Sequence, residues 1–285
     1  MTTVFCYTSK PTEFMRESAS PQAKVVSETL YLEEVVIVET GKKKSAKWIK
    51  IQTVVDGYVG WVPKASIRSC KTSYLSDNSV IVKTNQMRTH IYHIMDTEFG
   101  PIMSLPFGVK LKVLSQPIDS NHRWIEVELL NGTKAFIQRG DITLEFKKKS
   151  MSEIVEFSKR FLSLPYTWGG RSSFGFDCSG FCQMLYREMY IPIPRDAKDQ
   201  MKWSGFAPIP LDEIRAGNLI FFGMAEDTIR HVGMSIGGKS FIHTSSRELK
   251  PYLRISSLDD PEWNGSGHFS FRAARRYTFA DEKAS

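Results

Sequence analysis

One cysteine stands in a setting that favours nucleophilic chemistry. Cys178 follows Asp177 and precedes Ser179 and Gly180, at the start of an amphipathic run that predicts a helix. Asp177 can cap that helix, which leaves the thiol in the first turn, where free amides and the helix dipole favour negative charge. Because the thiolate is the form that attacks a carbonyl, this position predicts a nucleophile with a lowered pKa. A cysteine without such a setting is more often an inert core residue, and that interpretation is kept for Cys182.

Two histidines on separate predicted strands supply the remaining parts of a thiol hydrolase. His231 opens the run 231–236, and His243 closes the run 240–243. Imidazole exchanges protons near neutral pH, so His231 is the candidate general base and His243 the partner that orients its ring. A solitary histidine is more often structural, but two on neighbouring strands downstream of Cys178 favour catalysis.

A tyrosine upstream of the cysteine is a candidate for contacting the substrate. Tyr166 lies twelve residues before Cys178, in the turn-rich segment 165–170. If this loop folds back over the nucleophile, the hydroxyl can hydrogen-bond an oxyanion beside the Cys178 backbone amide. The alternative is an ordinary packed aromatic residue.

The elements that must position these residues come in the order helices, then strands. Ser150 and Glu153 have the spacing of a capping box ahead of a helix over 151–162. A second helix is predicted over 178–189. Strand-like runs follow at 218–222, 231–236, 240–243 and 269–277. Helices followed by an antiparallel sheet predict an α+β domain.

The first half of the chain contains a weak internal repeat. The strand that begins at Trp48 and the turn Asp56-Gly57 have counterparts at Trp124, 76 positions later, and at Asn131-Gly132. Asp-Gly and Asn-Gly turns between alternating apolar and polar residues are the strongest short-range hairpin signal. The two copies predict two small antiparallel β-barrels ahead of the α+β domain.

Composition excludes several classes of protein. The 285 residues are 41% hydrophobic and carry a net charge of +7, which is ordinary for a globular protein. No apolar run approaches the roughly 18 residues of a membrane helix, and the N-terminus lacks a signal peptide, so we expect a cytoplasmic protein; export by a non-standard route is the alternative. No aromatic motif interleaves the basic residues, so nucleic acid is not predicted as a partner. The four cysteines show no zinc spacing, so neither a metal nor a cofactor is predicted.

Residues 150–280 resemble the NlpC family of cell-wall peptidases, which have a papain-related fold. The ordered motifs that carry the resemblance are Tyr166-x-Trp-Gly-Gly, Phe176-Asp-Cys-Ser-Gly-Phe, Gly217-Asn-Leu-Ile-Phe-Phe, His231-Val-Gly-Met and Ile242-His-Thr. In that family the roles are Cys nucleophile, His base and polar third residue, which fall here on Cys178, His231 and His243. Asn218 stands where the family usually has Asp, and Ser235 where Tyr is common.

The two N-terminal copies resemble bacterial SH3-like modules. The pattern is well kept in the first copy, whereas in the second Phe136 replaces the later Trp. The expected organisation is an SH3-like domain over 1–75, a second over 76–146 and an NlpC-type cysteine peptidase domain over 147–285.

This architecture is similar to enzymes that recycle peptidoglycan stem peptides in the cytoplasm. The resemblance implies cleavage of the γ-D-glutamyl–diaminopimelate bond and a preference for a free N-terminal L-Ala. It also implies that Asp177 and Ser179 hold the free amine, and that Glu33 and Tyr58 of the first module contact the substrate.

Several alternatives remain open at the level of sequence. The chain can be an amidase or endopeptidase that acts on intact wall, or a wall-binding protein without catalysis. Lysine can replace diaminopimelate in the substrate. The oligomeric state and the pairing of Cys6 with Cys70 are not determined by the sequence.

Overall fold

The computed structural model describes residues 4–42, 46–75, 79–114, 121–247, 249–264 and 269–278. The chain folds into two compact units. The first comprises residues 1–147 with 172–174, and the second comprises residues 148–171 with 175–285. The first unit includes both predicted SH3-like ranges, and the second includes all three predicted catalytic residues.

The first sheet of the first unit has seven strands in the order β3-β2-β6-β5-β4-β1-β7. The strands are β1 (Phe5–Thr8), β2 (Thr12–Arg16), β3 (Val25–Leu30), β4 (Glu34–Thr40), β5 (Trp48–Thr53), β6 (Val59–Pro63) and β7 (Ile67–Cys70). The predicted hairpin joins β5 to β6, and Gly57 supplies the left-handed φ of +70° that its turn requires. Buried side chains such as Met15 and Ile51 form the core of this sheet.

The second sheet repeats the topology of the first. Its strands are β8 (Ile81–Thr84), β9 (Arg88–Tyr92), β10 (Met103–Pro106), β11 (Lys110–Val113), β12 (Trp124–Glu128), β13 (Lys134–Gln138) and β14 (Ile142–Thr143). The order β10-β9-β13-β12-β11-β8-β14 is the first order with seven added to each number. The internal repeat is therefore structural, and the predicted SH3-like architecture is confirmed in both copies.

Four helices accompany the sheet of the second unit. They are α1 (Met151–Ser158), α2 (Cys178–Glu188), α3 (Ala197–Lys202) and α4 (Pro261–Asn264). The Ser150–Glu153 capping box forms as predicted. The first helix is shorter than expected, because one 3₁₀ turn over Lys159–Phe161 leads into extended backbone at Leu162.

A six-stranded antiparallel sheet forms the centre of the second unit. Two short strands, β15 (Arg171–Ser172) and β16 (Gly175–Phe176), precede α2. The sheet consists of β17 (Phe206–Ile209), β18 (Leu219–Gly223), β19 (Ile229–Gly237), β20 (Ser240–Ser245), β21 (Tyr252–Ser257) and β22 (Ser270–Tyr277), in the order β17-β22-β18-β19-β20-β21. Because α2 packs against β19 and β20, the predicted nucleophile and both histidines belong to elements in contact. The predicted α+β class is confirmed.

Two further observations concern the described part of the chain. Of the helices found there, none combines the length and apolar character that a membrane crossing requires. Among the same residues, no three His, Cys, Asp or Glu side chains group closely enough to hold a metal ion.

Candidate active site

The cysteine lies at the first position of α2, as the sequence predicts. Asp177 is the N-cap, and its Oδ1 accepts a hydrogen bond from the backbone amide of Gly180 at 2.7 Å. The carbonyl of Gly170 lies so close to Gly180 that a Cβ there would collide with it. This close approach fixes the helix start against the loop that precedes it. Cys178 is partly exposed, whereas Cys182 is fully buried in the core, as predicted.

The surroundings of the Cys178 sulfur favour the protonated thiol in the substrate-free protein. Its packed surroundings and then the charge of Asp177 raise the pKa of Cys178 to about 12, against smaller lowering effects of the Val232 and Ser179 backbone groups and of Arg195. The expectation of a lowered thiol pKa is therefore wrong for this state. Backbone groups at the helix terminus stabilise a thiolate and lower the thiol pKa, but burial of the sulfur raises that pKa by more.

The two histidines and a serine form a hydrogen-bonded chain across three adjacent strands. His231 Nε2 lies 3.0 Å from His243 Nδ1, and His243 Nε2 lies 2.9 Å from Ser256 Oγ. Gly233 makes room for this chain, since a Cβ at that position would lie 3.1 Å from the His243 Cβ and 2.7 Å from the Phe241 ring. The predicted pairing of His231 with His243 is observed.

The histidine pair is enclosed by aromatic side chains. The Trp263 ring stacks on His231 with centroids 5.1 Å apart and an interplanar angle of 25°. It also meets His243 edge-on at 4.8 Å. Phe222 and Phe241 complete this apolar cluster. Rings on several sides keep both imidazoles in fixed orientations.

Burial keeps both imidazoles neutral near pH 7. It is the main cause that lowers the pKa of His231 to about 3, and the charges of Arg254 and Arg247 lower it further. Burial also lowers the pKa of His243 well below its ordinary value, with further contributions from His231 and Arg254. A neutral imidazole can accept a proton, so His231 can act as a general base.

The hydrogen-bond chain specifies which ring nitrogen of His231 can accept a proton. His231 Nε2 is bonded to His243, so Nδ1 is the nitrogen left to accept a proton from a thiol. In that tautomer, His231 donates from Nε2 to His243 Nδ1, and His243 donates from Nε2 to Ser256 Oγ. The strand that carries His231 also brings the Val232 backbone to the Cys178 sulfur. The proposed base is therefore the neighbour, on β19, of the residue whose backbone contacts the sulfur.

Tyr166 lies in a loop fixed at both ends beside the nucleophile. The Tyr166 amide donates to the Pro251 carbonyl at 2.7 Å, and the Thr167 amide donates to the Phe176 carbonyl at 2.9 Å. Burial raises the pKa of the Tyr166 hydroxyl, and the neighbouring charges of Cys178 and Asp177 raise it further. The hydroxyl therefore stays a hydrogen-bond donor, which is what the predicted oxyanion contact needs.

The carboxylate of Asp177 has several partners besides the helix. Arg195 binds it with two nitrogens, Nη1 to Oδ1 at 3.0 Å and Nη2 to Oδ2 at 2.6 Å. The Gly169 amide donates to Oδ2 at 3.0 Å, and Ser179 Oγ donates to Oδ1 at 3.2 Å. The predicted binding of a substrate amine by Asp177 and Ser179 stays a prediction. An amine bound there would share the carboxylate with Arg195.

Glu33 and Tyr58 belong to the first unit. Glu33 Oε2 accepts hydrogen bonds from the Leu30 amide at 3.0 Å and from Thr29 Oγ1 at 2.9 Å, and so holds the turn between β3 and β4. The Tyr58 ring packs against the core of the first sheet. Their predicted contacts with substrate stay predictions.

Three residues of the site escaped sequence reasoning. Ser256 is on β21, which was not predicted as a strand, and it reaches His243 through the pairing of β20 with β21. Trp263 lies on a helix of four residues, too short for a periodic pattern. Arg195 follows Pro194 in an irregular segment, and no local pattern indicates that its guanidinium reaches Asp177.

Comparison with known proteins gives the class of this molecule. Residues 163–269 match the NlpC/P60 family, and residues 15–67 match the bacterial dipeptidyl-peptidase Sh3 domain. The chain therefore carries an NlpC/P60 domain preceded by a bacterial SH3 domain.

Two curated proteins are similar over longer stretches. The gamma-D-glutamyl-L-lysine dipeptidyl-peptidase of Bacillus cereus is 29% identical over 268 residues, which cover 89% of this chain and 75% of that protein. The protein of the same name from Bacillus subtilis is 30% identical over 190 residues, which cover 66% of this chain and 60% of that protein.

Solved structures share the fold. An NlpC/P60 family protein from Bacillus cereus matches with a TM-score of 0.78 and 23% identity, covering 96% of this chain and 99% of that chain. An NlpC/P60 endopeptidase from Photobacterium damselae subsp. piscicida matches with a TM-score of 0.66 and 15% identity, covering 95% and 72%. These likenesses concern the fold alone.

Proposed function

We propose that this chain is a cysteine peptidase that hydrolyses peptidoglycan stem peptides between γ-D-glutamate and a diamino acid. The observation that carries the proposal is the arrangement at β19. A cysteine at a helix start contacts the backbone beside a histidine whose far nitrogen is bonded to a second histidine. The names of the similar Bacillus proteins support this choice of bond.

The first chemical step is attack by sulfur. As the Cys178 sulfur approaches the γ-carbonyl carbon of D-glutamate, its proton passes to Nδ1 of His231, and a tetrahedral oxyanion forms. The Cys178 amide and the Tyr166 hydroxyl are the proposed donors to this oxyanion. The hydrogen bond to His243 holds the imidazolium in place.

The second step releases the diamino acid and then the acyl group. His231 gives its proton to the departing amine as the carbon–nitrogen bond breaks, which leaves a thioester on Cys178. His231 then takes a proton from water, the resulting hydroxide attacks the thioester, and the thiol returns with its proton. The products are a peptide ending in D-glutamate and a free diamino-acid peptide.

The proposed substrate is a soluble stem fragment with a free N-terminal L-Ala. A dipeptidyl-peptidase cuts two residues from a free N-terminus, and the similar Bacillus proteins carry that name. Asp177, Ser179, Glu33 and Tyr58 are the proposed contacts of the amine. A buried ammonium needs such partners.

Mass spectrometry of products from defined peptides tests the proposal. The substrates are L-Ala-γ-D-Glu-diaminopimelate, its lysine counterpart and an N-acetylated form of each. Wild type should release L-Ala-γ-D-Glu from the free-amine peptides, and the two free-amine substrates compare diaminopimelate with lysine. Cys178→Ala should lose a thousandfold or more, roughly the scale of removing a nucleophile. Cys70→Ala, which removes the other partly exposed cysteine, should retain activity.

Each arm has an outcome that contradicts part of the proposal. Hydrolysis by Cys178→Ala would exclude the thiol mechanism. Equal cleavage of the acetylated peptides would exclude recognition of the amine. If purified protein also solubilised intact sacculi, wall hydrolysis would replace the trimming of soluble fragments as the proposed role.

A further inference from the structure

A buried ion pair between Arg195 and Asp177 flanks the nucleophile. The Arg195 side chain is 1% exposed, and it forms a two-pronged contact with the Asp177 carboxylate. Two parallel N–H···O bonds between a guanidinium and a carboxylate are among the strongest charge-assisted hydrogen bonds. The pair therefore fixes the position of the Asp177 carboxylate.

The same guanidinium holds both neighbours of Cys178 along the chain. Its Nη1 donates to Ser179 Oγ at 2.9 Å, in addition to its bond with Asp177. Its Nη2 lies 3.5 Å from the carbonyl of Gly170, which also accepts from the Asp177 amide at 3.1 Å. Arg195 thus links the residue before the nucleophile, the residue after it and the loop packed on the helix start.

The Asp177 carboxylate has opposite effects on the helix and on the thiol. As a cap it must be able to accept from the amides of Gly180 and Gly169. As a negative charge next to Cys178 it is, after burial, the main cause of the raised thiol pKa, and Arg195 opposes it. A capping carboxylate beside a thiolate therefore needs a counter-charge.

We propose that Arg195 is a positioning residue for Cys178, whose guanidinium partly neutralises the Asp177 carboxylate and so weakens the repulsion that opposes thiolate formation. The inference rests on the proposed role of Cys178 as nucleophile. Arg195 itself does not touch the reacting atoms; it acts through Asp177 and Ser179.

Other titratable groups surround the thiol and belong in any test of its pH dependence. Asp177 caps α2, Cys182 lies within it, and Tyr166 lies in the loop that precedes it. Arg195 comes from the segment before α3. His231 is the neighbour of Val232, whose backbone contacts the sulfur. Arg171 and Asp196 are the further charges close to Arg195. Only Asp177 and Arg195 are changed in the experiment below.

The test measures alkylation of Cys178 by iodoacetamide between pH 5 and 10.5, followed on its peptide by mass spectrometry. Below the thiol pKa, the rate constant is proportional to the thiolate fraction. Arg195→Gln should lower the rate at fixed pH by about tenfold, which is a pKa rise of about one unit. Asp177→Asn keeps a capping side chain and should raise the rate, and the double variant should lie between the two.

Opposite changes in the alkylation rate distinguish charge neutralisation from a merely structural role, because Arg195→Gln should lower the rate and Asp177→Asn should raise it. An unchanged rate in Arg195→Gln, or rates that move in the same direction in both single variants, would overturn the proposal. If Arg195→Gln does not fold, Asp177→Asn still tests whether removing the carboxylate charge raises the alkylation rate. Arg195→Lys, which keeps a positive charge, should slow alkylation less than tenfold. Arg275→Gln is the matched control, because that guanidinium donates to the carbonyls of Met201 and Ala274.

This readout separates the inference from the proposed function. Alkylation needs no peptide substrate, so its pH dependence reports the thiol whatever bond the enzyme cuts. Peptide hydrolysis by Cys178→Ala would contradict the proposed function and leave the alkylation result unaffected.

Discussion

The two sides of the candidate active site control charge by opposite means. On the side of the proposed nucleophile, Asp177 and Arg195 form an ion pair at 2.6 Å. On the base side, His231 and His243 are buried among aromatic rings and stay neutral. Beside Cys178 a negative charge is therefore balanced by a positive one, whereas the apolar surroundings of the two histidines exclude charge.

The difference follows from what each side must do. The cap of α2 must accept hydrogen bonds from backbone amides permanently, and a carboxylate held by a fixed guanidinium can do so. A general base changes its protonation state in each turnover, and a neutral imidazole such as that of the proposed base His231 can do so. The comparison predicts that substitutions on the base side change pH-dependent properties most strongly.

The largest expected effect is the loss of the base. His231→Gln keeps a polar side chain but cannot accept a proton near pH 7, so kcat/KM should fall by about 10² to 10⁴. Steady-state hydrolysis of the free-amine peptide measures this. His90→Gln is the matched control, since His90 also bonds a serine hydroxyl, at 2.8 Å, but in the first unit. A loss below tenfold in His231→Gln would mean that another group takes the proton.

Exclusion of charge should also make the second unit unstable in acid. The folded pKa of His231 is about 3 against an ordinary value of 6.5, so between these values the unfolded chain binds a proton that the folded unit does not. The contribution of His231 to the free energy of unfolding is therefore fully present above pH 6.5. As the pH drops below that value, the free energy of unfolding falls by up to about 1.4 kcal/mol per pH unit for each such histidine. His243 adds to this in the same direction.

Urea unfolding at pH 7, 6 and 5 measures this dependence. Wild type should lose stability on acidification, and the variant His231→Gln, His243→Gln should lose less. The variant Asp177→Asn, on the nucleophile side, should keep the wild-type slope over this range. Parallel slopes for wild type and the double-histidine variant would contradict the neutral, buried histidine pair.

The smallest expected effect is at the end of the hydrogen-bond chain. Ser256→Ala removes the partner of His243 Nε2, which should cost about 1 kcal/mol, roughly fivefold in kcat/KM. The matched control is Ser104→Ala, which removes the serine partner of His90 in the first unit and should leave kcat/KM unchanged. An unaltered rate in Ser256→Ala would show that His243 orients the base without this hydrogen bond.

Local signals account for what the sequence predicts well. The turns Asp56-Gly57 and Asn131-Gly132 determine their hairpins within a few residues, and the Asp177 cap determines where α2 begins. Cys178, His231 and His243 could be named as candidates because each lies in a run with its own pattern: Cys178 starts α2, and the histidines lie within β19 and β20. The pairing of the two histidines is then observed at 3.0 Å.

What the sequence misses depends on tertiary contacts. Ser256 becomes part of the site only through the register of β20 with β21, and Arg195 only through the packing of its segment against α2. The thiol pKa was predicted in the wrong direction for the same reason, since its main cause is burial. A local pattern contains no information on how much water the fold removes.

Strand β19 brings two parts of the candidate site to adjacent positions, and this restricts where the chain can change in length. His231 is the proposed base, and Val232 brings its backbone to the sulfur. Between His231 and Ser235, where the pairing with β18 and β20 is regular, a single-residue insertion or deletion would turn the following side chains to the opposite face of the sheet. The exposed connection 224–228 lies outside this paired stretch. Natural length variation among relatives should therefore collect in that connection and be absent from the strand.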